Sequence, residues 1–138
     1  MTAESPERPR LILADDHPDV LEAVVRLLRH DSDIVSTVTD GVAALDAVIA
    51  LQPDLLILDI SMPGLTGIEV ARRLSSGGST VRIIFLTVIE DAEFARASLA
   101  EGGSAYVVKS RLGTDLRHAI REVTAGHTFI SPSLAVAD

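Results

Sequence analysis

The sequence predicts an α/β fold in which helices cover both faces of a five-stranded parallel sheet. Three observations point to it: short continuous apolar runs, longer segments of helical period between them, and strict alternation of the two along 138 residues. The runs at 11–14, 55–58, 83–86 and 105–108 are each bounded by polar or turn residues, as in strands buried on both faces. Residues 34–39 alternate apolar and hydroxyl side chains, which suits an edge strand.

The first helix begins at Pro18, whose missing N–H costs nothing at an early helical position. Val20, Leu21, Val24, Val25, Leu27 and Leu28 form its apolar side and leave Glu22, Arg26 and Arg29 outward. A second helix at 42–51 follows Asp40-Gly41 and stops before Pro53. A third, 67–74, runs into Ser75-Ser76-Gly77-Gly78, and a fourth, 92–100, ends at Gly102-Gly103. Leu112, Leu116, Ala119, Ile120 and Val123 give the last helix an apolar stripe, with Gly126 as its cap. Right-handed crossovers then yield a doubly wound, flavodoxin-like sheet of strand order 2-1-3-4-5.

Composition sets the class. With 47% hydrophobic and 3% aromatic residues the chain reads as one compact domain with an aliphatic core. A net charge of -8 repels nucleic acid and anionic lipid. The absence of cysteine excludes disulfides and thiolate ligation. The opening MTAESPERPR has no apolar h-region, and no run approaches the ~20 residues that span a bilayer. A cytoplasmic protein with no membrane contact is expected.

The chemistry collects at strand ends. Asp15 and Asp16 close the first strand, Asp59 the third, Thr87 the fourth and Lys109 the fifth, all at the carboxyl edge where such sheets bind ligands. Three carboxylates in one crevice repel unless one protonates or a cation intervenes. An all-oxygen set favours Mg²⁺, with Asp16, Asp59 and the Ser61 backbone carbonyl as ligands and Asp15 holding a metal-bound water. One Asp59 oxygen is then placed to attack phosphorus, while Lys109 and Thr87 serve the phosphoryl oxygens. His17, in the same loop, reads as solvent-exposed and outside the site. Taken singly, Asp15 or Asp16 reads as a helix cap, Asp59 as a turn residue and Lys109 as a solvated strand end. Their joint placement changes that reading.

The pieces LILADDHP, LLILDISMPGLTG, IIFLT and AYVVKS, in this order and spacing, resemble the receiver domains of two-component response regulators. The resemblance makes 10–126 the receiver domain, 1–9 a disordered N-terminal tail and 127–138 a tail or linker. It implies a sensor histidine kinase as phosphodonor, Asp59 as acceptor, Mg²⁺ as cofactor and slow self-hydrolysis, so that the domain is no enzyme on external substrates. It also implies a switch in which Thr87 moves toward the phosphoryl group and Tyr106 moves between outward and inward positions. The face of helix four, strand five and helix five would then bind a second copy or another partner, with Glu93, Arg96, Arg111, Arg117 and Arg121 as polar contacts. DDHP, EGGSAYVVKS and AGHTFISPSLA are similar to the NarL/FixJ subfamily, which places DNA binding in a helix-turn-helix domain beyond this sequence.

Two positions depart from the family pattern. Val88 stands where a small residue is usual and would narrow access to Asp59, and Ser110 replaces a proline after Lys109, altering the loop after strand five. Other classes fit less well. A nucleotide or flavin module would meet repulsion from Asp15-Asp16, and a phosphatase-like hydrolase would need a second Asp where Ser61 stands. A receiver that has lost phosphorylation and only docks partners is the nearest alternative.

Overall fold

The computed structural model describes residues 8–135. A parallel sheet is formed by β1 (Arg10–Ala14), β2 (Asp33–Val38), β3 (Leu55–Leu58), β4 (Arg82–Thr87), β5 (Ala105–Val108) and β6 (Phe129–Ile130), in the order β2-β1-β3-β4-β5-β6. Between them run α1 (Pro18–Leu28), α2 (Gly41–Leu51), α3 (Gly67–Ser76), α4 (Ala92–Ala100) and α5 (Leu112–Thr124), with a terminal turn α6 (Pro132–Ala135). The expected order holds for the first five strands, and β2 is the edge strand that its alternation predicted.

Strand pleating divides the core. Leu11, Leu13, Leu55, Ile57, Ile84, Leu86, Ala105 and Val107 face α1 and α5, whose Val24, Leu28, Leu116, Ala119, Ile120 and Val123 complete that layer. The alternate residues Ile12, Ala14, Leu56, Leu58, Ile83, Phe85, Tyr106 and Val108 face α2, α3 and α4. Each of the four central strands is buried on both faces, which accounts for its unbroken apolar run.

Local signals fix the helix starts. Asp40 caps α2 through the Ala43 N–H at 2.8 Å, and Asp91 caps α4 through the Phe94 N–H at 3.0 Å. Thr66 and Glu69 form a reciprocal capping box on α3. Gly126, at φ +92°, turns the chain out of α5 as expected.

The sheet has six strands where five were expected, because part of the segment read as a tail joins it. Ala105 pairs with Phe129 and Tyr106 with Ile130, and Leu134 is buried against the α4 side of the core. The exposed edge of β5 offered unpaired backbone groups, and this short segment satisfies them. At the other end, residues 1–7 of the expected N-terminal tail lie outside the described residues, as do 136–138 of the C-terminal one. Arg8 is tied to the carbonyls of Arg29 and Ser32 at 2.9 Å each.

Candidate functional site

The loops that leave β1, β3 and β5 converge at the carboxyl edge of the sheet. Asp15 and Asp59 follow the last residues of β1 and β3, which are adjacent in the sheet, and Lys109 follows β5. Burial of the strands carries these side chains inward: Asp15 is 3% exposed and Asp59 2%. Asp16 is exposed at the rim.

Asp59 is held from two sides. Its Oδ1 accepts the Ser61 N–H at 3.2 Å and its Oδ2 accepts from Lys109 Nζ at 3.3 Å. Burial, reinforced by the charge of Asp15, pushes the Asp59 carboxyl above the usual range; Lys109 and the Ser61 N–H pull the other way without cancelling it. Lys109 Nζ also pairs with Asp15 Oδ2 at 2.8 Å, so the one ammonium serves both buried acids.

Asp15 does not cap α1. Its Oδ1 accepts the backbone N–H of His17 at 2.8 Å, which folds the loop back on itself, and His17 occupies the N-cap position with no side-chain capping bond. His17 is exposed, as expected, but lies against the acids. Its side chain is 59% exposed, and Nδ1 reaches 3.0 Å from Asp15 Oδ1 and 3.2 Å from Asp16 Oδ1. Asp15, Asp16, His17 and Asp59 each offer a ligand atom within 4.8 Å of the others. Hard carboxylate oxygens brought this close together fit the demands of a divalent cation such as Mg²⁺.

Thr87 is fully buried at the end of β4 and makes no hydrogen bond to Asp59 or Lys109; its Oγ1 accepts the Ile89 N–H at 3.4 Å. Tyr106 lies inward, fully buried, with its hydroxyl donating to the Ile89 carbonyl at 2.7 Å and its ring edge-on to Phe94. Burial and the charge of Asp91 push its phenol up, so it stays a donor. Thr87 and Tyr106 thus hold the backbone N–H and the backbone C=O of Ile89 respectively.

Val88 is 67% exposed. After β5, Lys109–Arg111 forms a 3-10 turn with trans peptides leading into α5, and the Ser110 hydroxyl donates to Glu90 Oε2 at 3.0 Å. The residue in the proline position thereby ties this turn to the loop after β4.

The face proposed around α4, β5 and α5 differs from expectation in two ways. The edge of β5 is covered by β6. Arg117 belongs to the opposite side of α5, donating to the Leu27 carbonyl at 2.7 Å and pairing with Asp31 at 3.3 Å; Arg121, one turn on, lines a cleft with Leu28. A helix places residues four apart on one side, and here that side meets α1.

A family model described as the response regulator receiver domain matches residues 11–121. The chain is 30% identical over 136 residues to the probable transcriptional regulatory protein NarL of Mycobacterium tuberculosis, covering 97% of this chain and 63% of that protein. It is 32% identical over 131 residues to the oxygen regulatory protein NreC of Staphylococcus epidermidis, covering 93% and 60% respectively. The crystal structure of a LuxR-family two-component response regulator from Aurantimonas sp. SI85-9A1 superposes with a TM-score of 0.88 at 31% identity, covering 94% of each chain. The chain spans about three fifths of the length of the curated relatives it matches.

Proposed function

This chain belongs to the response regulator receiver domain family, and from that premise we propose that it accepts a phosphoryl group on Asp59 from a sensor histidine kinase. It is a receiver domain of the NarL type. The observation that carries the proposal is the setting of Asp59: a buried carboxylate beside Lys109 and Asp15, with one oxygen held by the Ser61 N–H.

In the proposed transfer an Asp59 oxygen attacks phosphorus, the P–N bond of the donor phosphohistidine breaks, and the imidazole leaves with the bonding pair. Lys109 offsets charge on Asp59 before transfer and on the phosphoryl oxygens after it. Thr87 keeps its hydroxyl proton free to donate, because its oxygen only accepts from Ile89. Asp16, Asp59 and the Ser61 carbonyl, with Asp15 through a water, are the residues that would hold Mg²⁺. A bound Mg²⁺ would neutralise the crowded carboxylate and phosphoryl charge.

Phosphorylation adds about -1.5 to -2 charge near neutral pH. We assign the response to the Thr87–Ile89–Tyr106 connection, which joins the site to α4 and the covered edge of β5. A second copy or another partner would dock there. The whole protein would act in the cytoplasm and regulate transcription through a helix-turn-helix domain outside this sequence. Among the described residues no helix is long and apolar enough to cross a membrane.

Acetyl phosphate with Mg²⁺ tests the proposal by intact mass. Wild type is expected to gain one acid-labile phosphoryl mass and Asp59→Asn none. A gain by Asp59→Asn overturns the assignment.

A further inference from the structure

Lys109 reaches its acids across a neighbouring strand. It follows β5, whereas Asp59 follows β3 and Asp15 follows β1, and β4 lies between. Neighbouring strands stand about 4.8 Å apart, so β5 is about 10 Å from β3 and about 14 Å from β1. The four-carbon stem of Lys109 and the short aspartate side chains close that span with little slack. Its Nζ ends 2.8 Å from Asp15 Oδ2 and 3.3 Å from Asp59 Oδ2, the second at the long end of a hydrogen bond. A slight retreat of the Lys109 backbone would break the contact with Asp59.

Ser131 restrains that backbone. The pairing of β5 with β6 joins only Ala105 to Phe129 and Tyr106 to Ile130, and so stops short of Val108. Ser131 takes over from there: its N–H donates to the Tyr106 carbonyl at 2.9 Å, and its hydroxyl accepts the Val108 N–H at 3.1 Å. Val108 is the last residue of β5, and Lys109 next opens a 3-10 turn in which Ser110 and Arg111 are exposed. Ser131 is anchored in turn on both sides. The Phe129 N–H donates to the Ser104 carbonyl at 3.2 Å, the Leu134 N–H donates to the Ser131 carbonyl at 2.9 Å, and Leu134 is buried on the α4 side of the core.

We propose that Ser131 is a positioning residue for phosphoryl uptake: by holding the Val108 peptide it keeps the Lys109 ammonium on Asp59, so the segment after α5 sets the rate at which Asp59 is phosphorylated. The inference rests on the reading of Asp59 as acceptor and adds a regulator of that site. A pull on residues 132–135 reaches Lys109 through one buried hydrogen bond and one peptide link.

Lys109 is the only lysine in the chain, so amine acylation reads it directly. Its side chain is 10% exposed and shielded by the acids it touches. The full chain, as wild type, Ser131→Ala and Leu74→Ala, is treated in native buffer with the N-hydroxysuccinimide ester of acetic acid, and peptide mapping separates Lys109 from the terminal amine. Leu74, buried near the end of α3, supplies a core loss away from β5. Ser131→Ala is expected to speed Lys109 labelling by at least about threefold, and Leu74→Ala to leave it near the wild-type rate. Phosphoryl uptake from acetyl phosphate with Mg²⁺ should slow by at least about threefold in Ser131→Ala alone. Ile130→Ala, which loosens β6 and keeps the hydroxyl, should move both rates the same way and replaces Ser131→Ala if that variant folds too poorly to isolate. Unchanged labelling overturns the proposal, as does faster labelling with unchanged uptake or an equal effect from Leu74→Ala. Wild type that gains no phosphoryl mass overturns the acceptor reading of Asp59, while the labelling still decides whether Ser131 holds Lys109.

Discussion

The hydroxyl of Ser131 accepts the backbone N–H of Val108 at 3.1 Å, while the Ser131 N–H donates to the Tyr106 carbonyl at 2.9 Å. Ser131 is fully buried, so a side chain just beyond β6 completes the pairing of β5 one residue before Lys109. Ser131→Ala would strand a buried N–H, and the expected loss is about 1–3 kcal/mol in urea unfolding. An unchanged midpoint would show that the segment does not brace β5.

Lys109 is the cation nearest both buried acids. Lys109→Met leaves Asp15 and Asp59 facing each other, and breaking such a pair is expected to cost about 3 kcal/mol in chelator-containing buffer. Added Mg²⁺ should restore part of this loss. Thermal melts with and without the ion measure it, and a variant as stable as wild type in chelator contradicts the electrostatic account.

Asp59 gives a pH signature. Its carboxyl is raised in the folded state, so folding favours the protonated form. The associated stability is fully present below the unfolded value of 3.8 and is lost as pH rises through the higher folded value. In chelator, Asp59→Asn should therefore be more stable than wild type at neutral pH, with the difference shrinking as the solution is acidified. Denaturant midpoints across that interval check the sign.

Gly67 sits where α3 begins, its N–H donating to the Ile60 carbonyl at 2.8 Å. A Cβ here would press on the Asp59 carbonyl oxygen and stand 2.8 Å from Ile60 Cα, both backbone atoms that cannot swing aside. Gly67→Ala is expected to cost about 1–3 kcal/mol and to slow phosphorylation by acetyl phosphate. Normal stability together with a normal rate would show that the loop carrying Asp59 tolerates displacement.

Much of this was legible in the sequence because strands buried on both faces write themselves as apolar runs. Such runs ending in Asp15, Asp59, Thr87 and Lys109 place those residues at one edge. β6 was not legible: Phe129 and Ile130 are only two residues, bounded by Thr128 and Ser131, too short for any period to show. Its existence depends on the vacant edge of β5, a tertiary property. The approach of His17 Nδ1 to Asp15 and Asp16 was not legible, because a lone histidine beside two acids carries no signal of where its ring nitrogen points. Arg117 and Arg121 were placed on the wrong side of α5 because the apolar stripe locates the core but not which neighbouring helix each flank meets.

The chain contains one tyrosine and no tryptophan. Its near-ultraviolet emission therefore comes overwhelmingly from a single ring, enclosed at the junction of β5, α4 and the Ile89 loop. Any event that reshapes that junction changes the surroundings of the only strong chromophore, so the native protein is its own unlabelled optical gauge for rapid-mixing work.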